Sequence, residues 1–148
     1  MNSTVNETKT DVREEQFMHD KNHILICDDD IMFLKIVSDW LKGRYYVTAV
    51  RNGPDAVPAA YNERPDLILL DLEMPGMSGP EVLEALRTDE QTANIPVVFL
   101  TGHSDRDSVM DCLKLRPQGY MLKTVKRQGM LASIDNFFES GRWMNIEA

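Results

Sequence analysis

Residues 24–30 read ILICDDD, four apolar residues followed directly by three aspartates. The apolar run has the length and the β-branched content of a buried strand. The three adjacent like charges have two possible explanations. They can form an ordinary acidic turn, because Asp is frequent in turns and caps helices well. Alternatively, they can form a functional cluster of carboxylates, and the rest of the chain decides between the two.

Four further apolar runs of strand length follow, at residues 45–50, 67–70, 97–100 and 120–122. Amphipathic segments of helical length lie between or after these runs, at residues 31–41, 54–62, 80–87, 105–115 and 130–138. Strands that alternate with helices predict a parallel sheet covered by helices on both faces. With right-handed crossovers, this is a doubly wound α/β domain with a five-stranded sheet.

Apolar residues at spacings of three and four predict the buried faces of the helices. They are Phe33, Ile36, Val37, Trp40 and Leu41 in the first helix, Val82, Leu83 and Leu86 in the third, and Met130, Leu131, Ile134, Phe137 and Phe138 in the last. Pro80 suits a first helical turn, and Ser104 with Asp107 resembles a cap for residues 105–115. Pro58 removes a backbone donor from residues 54–62, so we expect a short or kinked helix there.

The composition is that of a one-domain globular protein with an acidic surface. The chain has 148 residues, of which 43% are hydrophobic, a formal net charge of -8 and a pI near 4.8. This charge argues against direct nucleic-acid binding, which needs a basic patch. No apolar run approaches the roughly 18 residues of a membrane span, and the first residues lack the apolar core of a signal peptide. We therefore expect a cytoplasmic protein without membrane insertion.

The same patterns predict the domain boundaries. Residues 1–21 are polar and have no sustained period, which predicts a flexible arm. Residues 22–140 carry the alternating strands and helices, and residues 141–148 form a short C-terminal tail that is too short for an output domain. Cys27 and Cys112 lie in apolar patterns without metal-ligand spacing, so we expect buried, unpaired thiols.

Charged and hydroxyl side chains follow the ends of the apolar runs. They are Asp28, Asp29 and Asp30 after the first run, Asp71 after the third, Thr101 after the fourth and Lys123 after the fifth. In an open parallel sheet, residues just beyond the carboxyl ends of the strands converge on one crevice. The sequence therefore predicts a site that combines carboxylates, a hydroxyl and an ammonium.

This combination explains the acidic run. Carboxylates at close range repel by about 4 kcal/mol per pair at intermediate dielectric, and a hard divalent cation such as Mg²⁺ removes that cost. Asp71 would then act as a nucleophile toward phosphorus. Lys123 and the metal would neutralise the transferred oxygens, and Thr101 would donate a hydrogen bond to one of them. Asp30 is expected to cap the first helix.

Five segments together resemble the receiver domain of two-component response regulators, over about residues 23–140. The segments are ILICDDD at 24–30, NGPDA at 52–56, RPDLILLDLEMPGMSG at 64–79, IPVVFLTG at 95–102 and GYMLK at 119–123. The resemblance implies the flavodoxin-like strand order 2-1-3-4-5. It also implies a signalling phosphoacceptor that is not an enzyme.

The resemblance assigns roles to individual residues. Asp71 is the phosphoacceptor, and its donor is a phosphohistidine on a sensor histidine kinase or a histidine phosphotransfer protein. Mg²⁺ binds to Asp29, Asp71 and the backbone carbonyl of Glu73, with Asp28 acting mainly through water. Lys123 pairs with the phosphorylated carboxylate.

The resemblance also implies residues that respond to phosphorylation or control its lifetime. Thr101 and Tyr120 match the switch pair, in which the hydroxyl moves toward the phosphate and the aromatic ring turns inward. Glu73 and His103 occupy the positions that tune the lifetime of the phosphoaspartate. One departure is Lys123-Thr124, where the family usually has Lys-Pro with a cis bond. A cis bond before Thr would cost roughly 3–4 kcal/mol, so we expect trans. Arg116-Pro117 also departs from the small residues usual before Tyr120.

The interpretation that follows is a stand-alone receiver that signals to a downstream protein or passes its phosphoryl group onward. A degenerate receiver, which binds partners without phosphorylation, is the first alternative; the loss of Pro after Lys123 favours it and the intact acidic residues oppose it. A phosphatase of the haloacid dehalogenase type is the second, because Asp71-Leu72-Glu73 resembles its D-x-D core. The Met and Pro that follow do not fit that family.

Overall fold

The computed structural model describes residues 21–102 and 113–147, except for the side chain of Leu113. The strands are β1 (His23–Cys27), β2 (Tyr46–Val50), β3 (Leu67–Asp71), β4 (Val97–Thr101) and β5 (Gly119–Leu122). The α-helices are α1 (Ile31–Leu41), α2 (Gly53–Glu63), α3 (Gly79–Thr88) and α4 (Arg127–Ser140), and a short 3₁₀ helix covers Leu113–Leu115. Each predicted strand is present, with its ends shifted by at most one residue.

The five strands form one parallel sheet in the order β2-β1-β3-β4-β5. This confirms the predicted doubly wound fold and the strand order 2-1-3-4-5. The register aligns the carboxyl ends of the central strands, with Asp71 opposite Leu100 on β4 and Thr101 opposite Leu122 on β5. The residues that follow these strands therefore emerge at one edge of the sheet.

Helices cover both faces of the sheet, because alternate side chains of each buried strand point in opposite directions. On one face, α1 and α4 pack against Ile24, Ile26, Leu67 and Leu69. On the other face, α2 and α3 pack against Leu25, Cys27, Ile68 and Leu70. Within the described part of the chain, no helix is long and apolar enough to cross a membrane.

One detail of the helix prediction is wrong. In α1, the side chains that face the sheet are Leu34, Val37 and Leu41, whereas Ile36 is 46% exposed. At 100° per residue, the positions i, i+3 and i+7 share a face, and Ile36 lies about 200° from Leu34.

The helix expected to be short or kinked is α2, and it runs for 11 residues with Pro58 inside it. Asn52 accepts a hydrogen bond from the Asp55 N–H and caps the helix, and Ala56 and Ala60 are buried. Pro58 itself lies on the exposed side of the helix. The cap and the buried face thus offset the one missing backbone hydrogen bond.

The predicted helix over residues 105–115, with Ser104 and Asp107 as its cap, lies mostly outside the described residues. Its last three residues are described and form the 3₁₀ helix rather than an α-helix. Cys112 lies outside the described part as well. Cys27 is fully buried and free, as predicted. All peptide bonds in the described segments are trans, including Lys123-Thr124.

Candidate functional site

Three carboxylates meet at the carboxyl edge of the sheet. Asp71 is the last residue of β3, and Asp28 and Asp29 directly follow β1, its neighbour in the sheet. One oxygen from each carboxylate lies within 4.8 Å of the other two. Asp28 and Asp71 are buried, at 0% and 3% exposure, whereas Asp29 is exposed. The acidic run at residues 28–30 therefore contributes two members of a carboxylate cluster and is not a plain surface turn.

The third aspartate of the run has a separate role, as expected. Asp30 is the N-cap of α1, and its side chain accepts hydrogen bonds from the N–H groups of Met32 and Phe33. Its own N–H donates to Asp28 Oδ1 at 2.9 Å. This contact fixes the turn between β1 and α1, and so it holds the buried Asp28 carboxylate in position.

Lys123 supplies the positive charge of the site. Its Nζ lies 2.7 Å from Asp28 Oδ2 and 3.1 Å from Asp71 Oδ1, so the ammonium bridges two buried carboxylates. Its backbone N–H donates to the Thr101 carbonyl at 2.8 Å, which holds the end of β5 against β4. The ammonium also lies 5.2 Å from the centre of the Phe33 ring. The trans Lys123-Thr124 bond therefore still allows Lys123 to reach the carboxylates.

The electrostatics of the site follow from burial and from this bridge. Burial and the charge of Asp28 raise the pKa of Asp71 to about 7, and Lys123 opposes both effects. For Lys123, burial lowers the pKa, but contact with Asp28 and Asp71 outweighs burial and the net shift is upward. The ammonium therefore stays charged and favours an ionised Asp71.

An open cleft of about 410 Å³ lies over these groups. The residues that line it include Asp29, Asp71, Glu73, Thr101 and Lys123, whereas Asp28 lies buried beneath. Thr101 is the last residue of β4 and is 4% exposed. Glu73 is exposed, and its backbone N–H lies 3.4 Å from Asp71 Oδ1.

One predicted site residue, Tyr120, lies elsewhere. Tyr120 pairs with Phe99 in the sheet and is 44% exposed, so it does not line the cleft. His103 lies outside the described residues. The remaining predicted residues, namely Asp28, Asp29, Asp71, Glu73, Thr101 and Lys123, are brought together at the carboxyl edge.

The sequence analysis missed how the loop after Asp71 is held. A Cβ atom on Gly79 would lie 2.4 Å from the Asp71 carbonyl oxygen, so only glycine allows α3 to approach β3 this closely. The Gly79 N–H donates to the Leu72 carbonyl at 3.0 Å. Ser78 and Glu81 form a capping box at the start of α3. The S-x-x-E spacing would have predicted that cap, whereas nothing in the sequence predicts the contact at Gly79.

The donor set fits a hard divalent cation such as Mg²⁺. The cluster offers carboxylate oxygens, which are the ligands this ion prefers. Asp71 Oδ2 is buried and has no hydrogen-bond partner within the described part of the chain. A buried carboxylate oxygen without a partner is costly, and a cation removes that cost. The residues present therefore fit a magnesium site.

Comparisons with known proteins point to one family. A family model described as the response regulator receiver domain matches residues 24–135. The chain is 35% identical over 115 residues to the DNA-binding response regulator MtrA of Mycolicibacterium paratuberculosis, a match that covers 77% of this chain and 50% of that protein. It is 29% identical over 118 residues to the chemotaxis protein CheY of Pseudomonas aeruginosa, covering 78% and 95%.

A third relative is far longer than this chain. The match to hybrid signal transduction histidine kinase D of Dictyostelium discoideum is 29% identical and covers 84% of this chain but 8% of that protein. This chain thus spans half of MtrA and a small part of the hybrid kinase.

Solved structures resemble the fold over most of the chain. Chemotaxis protein CheY4 of Vibrio cholerae has a TM-score of 0.74 and 26% identity, over 78% of this chain and 98% of that one. The receiver domain of a sensor histidine kinase from Pseudomonas aeruginosa has a TM-score of 0.73 and 26% identity, over 81% and 99%. That second structure has a magnesium ion coordinated in its active site cleft.

Proposed function

Because the chain belongs to the response regulator receiver family, we propose that Asp71 accepts a phosphoryl group from a phosphohistidine. The donor is a sensor histidine kinase or a histidine phosphotransfer protein. Phosphorylation then changes the contacts of the domain with a downstream protein, or the phosphoryl group passes onward. In this proposal the chain is a stand-alone, cytoplasmic phosphoacceptor and not an enzyme, beyond its own phosphorylation from small donors and dephosphorylation.

The transfer is a displacement at phosphorus. A carboxylate oxygen of Asp71 attacks, an O–P bond forms, and the P–N bond to the donor imidazole breaks with its electron pair passing to nitrogen. Lys123 holds the attacking carboxylate ionised and then pairs with the charge on the new phosphoryl group. The Thr101 hydroxyl donates a hydrogen bond to one of its oxygens.

The metal belongs to the same proposal. Asp29, Asp71 and the backbone carbonyl of Glu73 would hold Mg²⁺, and Asp28 would act mainly through water. When bound, the ion neutralises negative charge on the transferred oxygens.

The observation that carries the proposal is the placement of Lys123 between Asp28 and Asp71. Nζ is within 3.1 Å of both carboxylates, while the second oxygen of Asp71 is buried without a hydrogen-bond partner in the described segments. Asp71 Oδ1 is therefore oriented by the Lys123 ammonium, and Oδ2 is left for the metal ion or for phosphorus. A purely structural ion pair gains nothing from leaving that oxygen without a partner.

Signalling would use the strand that leads to Lys123. Tyr120 lies three residues before Lys123 on β5, and its side chain is partly exposed. A movement of Thr101 toward the phosphoryl group opens space beside β4 and β5, and the Tyr120 ring turns into that space. The lifetime of the signal would depend on Glu73 and His103, at the rim of the site.

The degenerate receiver remains the second candidate, and the Thr at position 124 is the observation that favours it. Against it, Lys123 reaches both carboxylates although proline is absent. The phosphatase of the haloacid dehalogenase type gains no support, because the family model and the structural relatives both point to receivers.

The decisive experiment is incubation with acetyl phosphate and Mg²⁺, followed by intact-mass measurement. We expect the wild type to gain one phosphoryl group and Asp71→Asn to gain none. Asp39→Asn is a matched control, because Asp39 is an exposed carboxylate paired with Lys42 on the surface of α1. The control should be phosphorylated like the wild type. A wild type that gains no mass from any phosphoryl donor would favour the degenerate receiver.

A further inference from the structure

The chain turns back on itself directly after α4. Gly141 adopts a left-handed conformation with φ of 75°, and its N–H donates to the Phe137 carbonyl at 2.8 Å. The Arg142 carbonyl then accepts a hydrogen bond from Asn136 Nδ2 at 3.4 Å, and the Arg142 N–H donates to Ser140 Oγ at 3.1 Å. These contacts direct the following residues toward β5.

Trp143 anchors the returning segment on β5. Its indole N–H lies 3.3 Å from the Tyr120 carbonyl, a backbone acceptor on an edge strand of the sheet. The indole covers Gly119, where a Cβ atom would lie 2.4 Å from Trp143 Cδ1. Gly119 has no positive φ that would require glycine. The obstacle to a larger residue there is therefore the indole itself.

Ile146 forms the second anchor. Its N–H donates to Ser133 Oγ at 2.9 Å, and Ser133 is a buried polar residue of α4 with 1% exposure. Trp143 and Ile146 are half-buried, whereas Met144 and Asn145 between them are exposed. The segment thus binds through two positions three residues apart, as a docked peptide does.

A cavity of about 440 Å³ lies where the segment meets the domain. Side chains from β5, the β5–α4 loop, α4 and residues 145–147 line it. The segment adds no strand to the sheet and leaves this space beside it. Trp143 packs at the margin of the core, with its ring centroid 6.3 Å from that of Phe137, while the rest of the segment leaves this space open.

We propose that the groove between β5 and α4 is a peptide-docking surface, and that residues 142–147 occupy it in cis as a releasable cover. The ligand it accepts is an extended segment with an aromatic residue followed three positions later by an aliphatic one, as in Trp143 and Ile146. A protein that uses this groove competes with the cover. The local concentration of a tethered segment is of millimolar order, so the cover excludes weak competitors.

The test uses a synthetic peptide of residues 141–148, GRWMNIEA, added at millimolar concentration to the isotopically labelled full chain. Backbone amide NMR shifts report binding. In Trp143→Ala, we expect shifts at Gly119, Tyr120 and Ser133, because the cis anchor is lost. The apparent affinity of the peptide for the wild type should be at least about tenfold weaker than its affinity for Trp143→Ala, because the tethered segment competes. Met144→Ala is the matched control and should behave like the wild type, because Met144 is exposed.

The contribution of the groove itself is tested at Gly119, in the Trp143→Ala variant. Adding Gly119→Ala should abolish peptide binding, because the new methyl group occupies the space of the incoming indole. Gly43→Ala is the control for a glycine substitution, since a Cβ there meets nothing within 4 Å. Absence of shifts at the three groove residues in Trp143→Ala overturns the proposal. Equal binding by the wild type and Trp143→Ala overturns it too. Neither outcome depends on phosphorylation of Asp71.

Discussion

At the scale of single residues, Lys123 connects the two buried carboxylates to the strand that would carry the signal. We predict that Lys123→Ala still binds Mg²⁺, because the carboxylates remain, but loses most of the conformational response to phosphorylation. The reason is that the Lys123 ammonium interacts with the negative charge that phosphorylation adds at Asp71. Magnesium titration measures the first property, and amide NMR shifts along β5 after acetyl phosphate treatment measure the second.

Lys35→Ala is the control for Lys123, because Lys35 is an exposed lysine of α1. It should leave both properties unchanged. A Lys123→Ala variant that shows the full wild-type response on phosphorylation would remove Lys123 from the signalling route.

Glu73 is the second residue with a testable role, since its exposed side chain sits at the rim of the cleft. A carboxylate there can orient the water that hydrolyses a phosphoaspartate. One charge-assisted hydrogen bond of about 1.5 kcal/mol corresponds to roughly a tenfold change in rate. We therefore predict that Glu73→Ala lengthens the phosphorylated lifetime several-fold.

The measurement for Glu73 is loss of phosphate from purified phosphoprotein at fixed Mg²⁺ concentration. Glu84→Ala, in an exposed position on α3, controls for the loss of a surface carboxylate. Equal or faster decay of Glu73→Ala would show that this side chain does not position water.

At the scale of secondary-structure elements, α2 carries a proline in its interior that lowers the stability of the helix. Pro58 lacks the N–H that an interior helical residue donates, and Pro costs about 3 kcal/mol relative to Ala in a helix interior. The unfolded chain gains roughly 1 kcal/mol of freedom when proline is removed, which offsets part of the benefit. We predict that Pro58→Ala raises the free energy of unfolding by about 1–2 kcal/mol, measured by urea denaturation.

Pro54 offers a matched control for Pro58. It lies in the first turn of the same helix, where the N–H has no partner in any case, and it too is exposed. Pro54→Ala should lower the free energy of unfolding by up to about 1 kcal/mol, because the unfolded chain gains freedom and no hydrogen bond is regained. Equal effects of the two substitutions would mean that the missing donor at Pro58 carries no cost.

The strands and helices show what hydrophobic periodicity in the sequence predicts and what it does not. The strands were predictable because β1, β3 and β4 are buried on both faces, so their sequences are continuous apolar runs. In α1, Phe33 and Trp40 are only half-buried and Ile36 is exposed, so an apolar residue did not always indicate the buried face. For α2, the proline was visible, but the buried alanines that stabilise the helix carry little hydrophobic signal.

At the scale of the whole molecule, the acidic site was predictable because it follows from topology. Parallel strands place their carboxyl ends at one edge, so Asp28, Asp71 and Lys123 converge although they are far apart in sequence. The docking of Trp143 on Gly119 was not predictable in this way. It depends on the direction of the chain after Gly141 and on space above one residue of β5, neither of which a pattern encodes.

The ends of the chain are predicted to contribute unequally to stability. Residues 2–20 contain few apolar side chains, so their deletion should change the free energy of unfolding by less than about 0.5 kcal/mol. Replacement of Trp143 by Ala should cost about 1–2 kcal/mol, because a half-buried indole loses its contacts. Urea denaturation compares both with the wild type. A loss of several kcal/mol on deleting residues 2–20 would show that this segment docks on the domain.

The position of Trp143 also matters for self-association. An edge strand carries outward-pointing carbonyl and N–H groups that can pair with a strand of another molecule. On β5, the indole takes the Tyr120 carbonyl and shields the neighbouring Gly119, which has no side chain of its own to hinder such pairing. In a concentrated solution, this one aromatic side chain is therefore expected to hinder edge-to-edge pairing at β5.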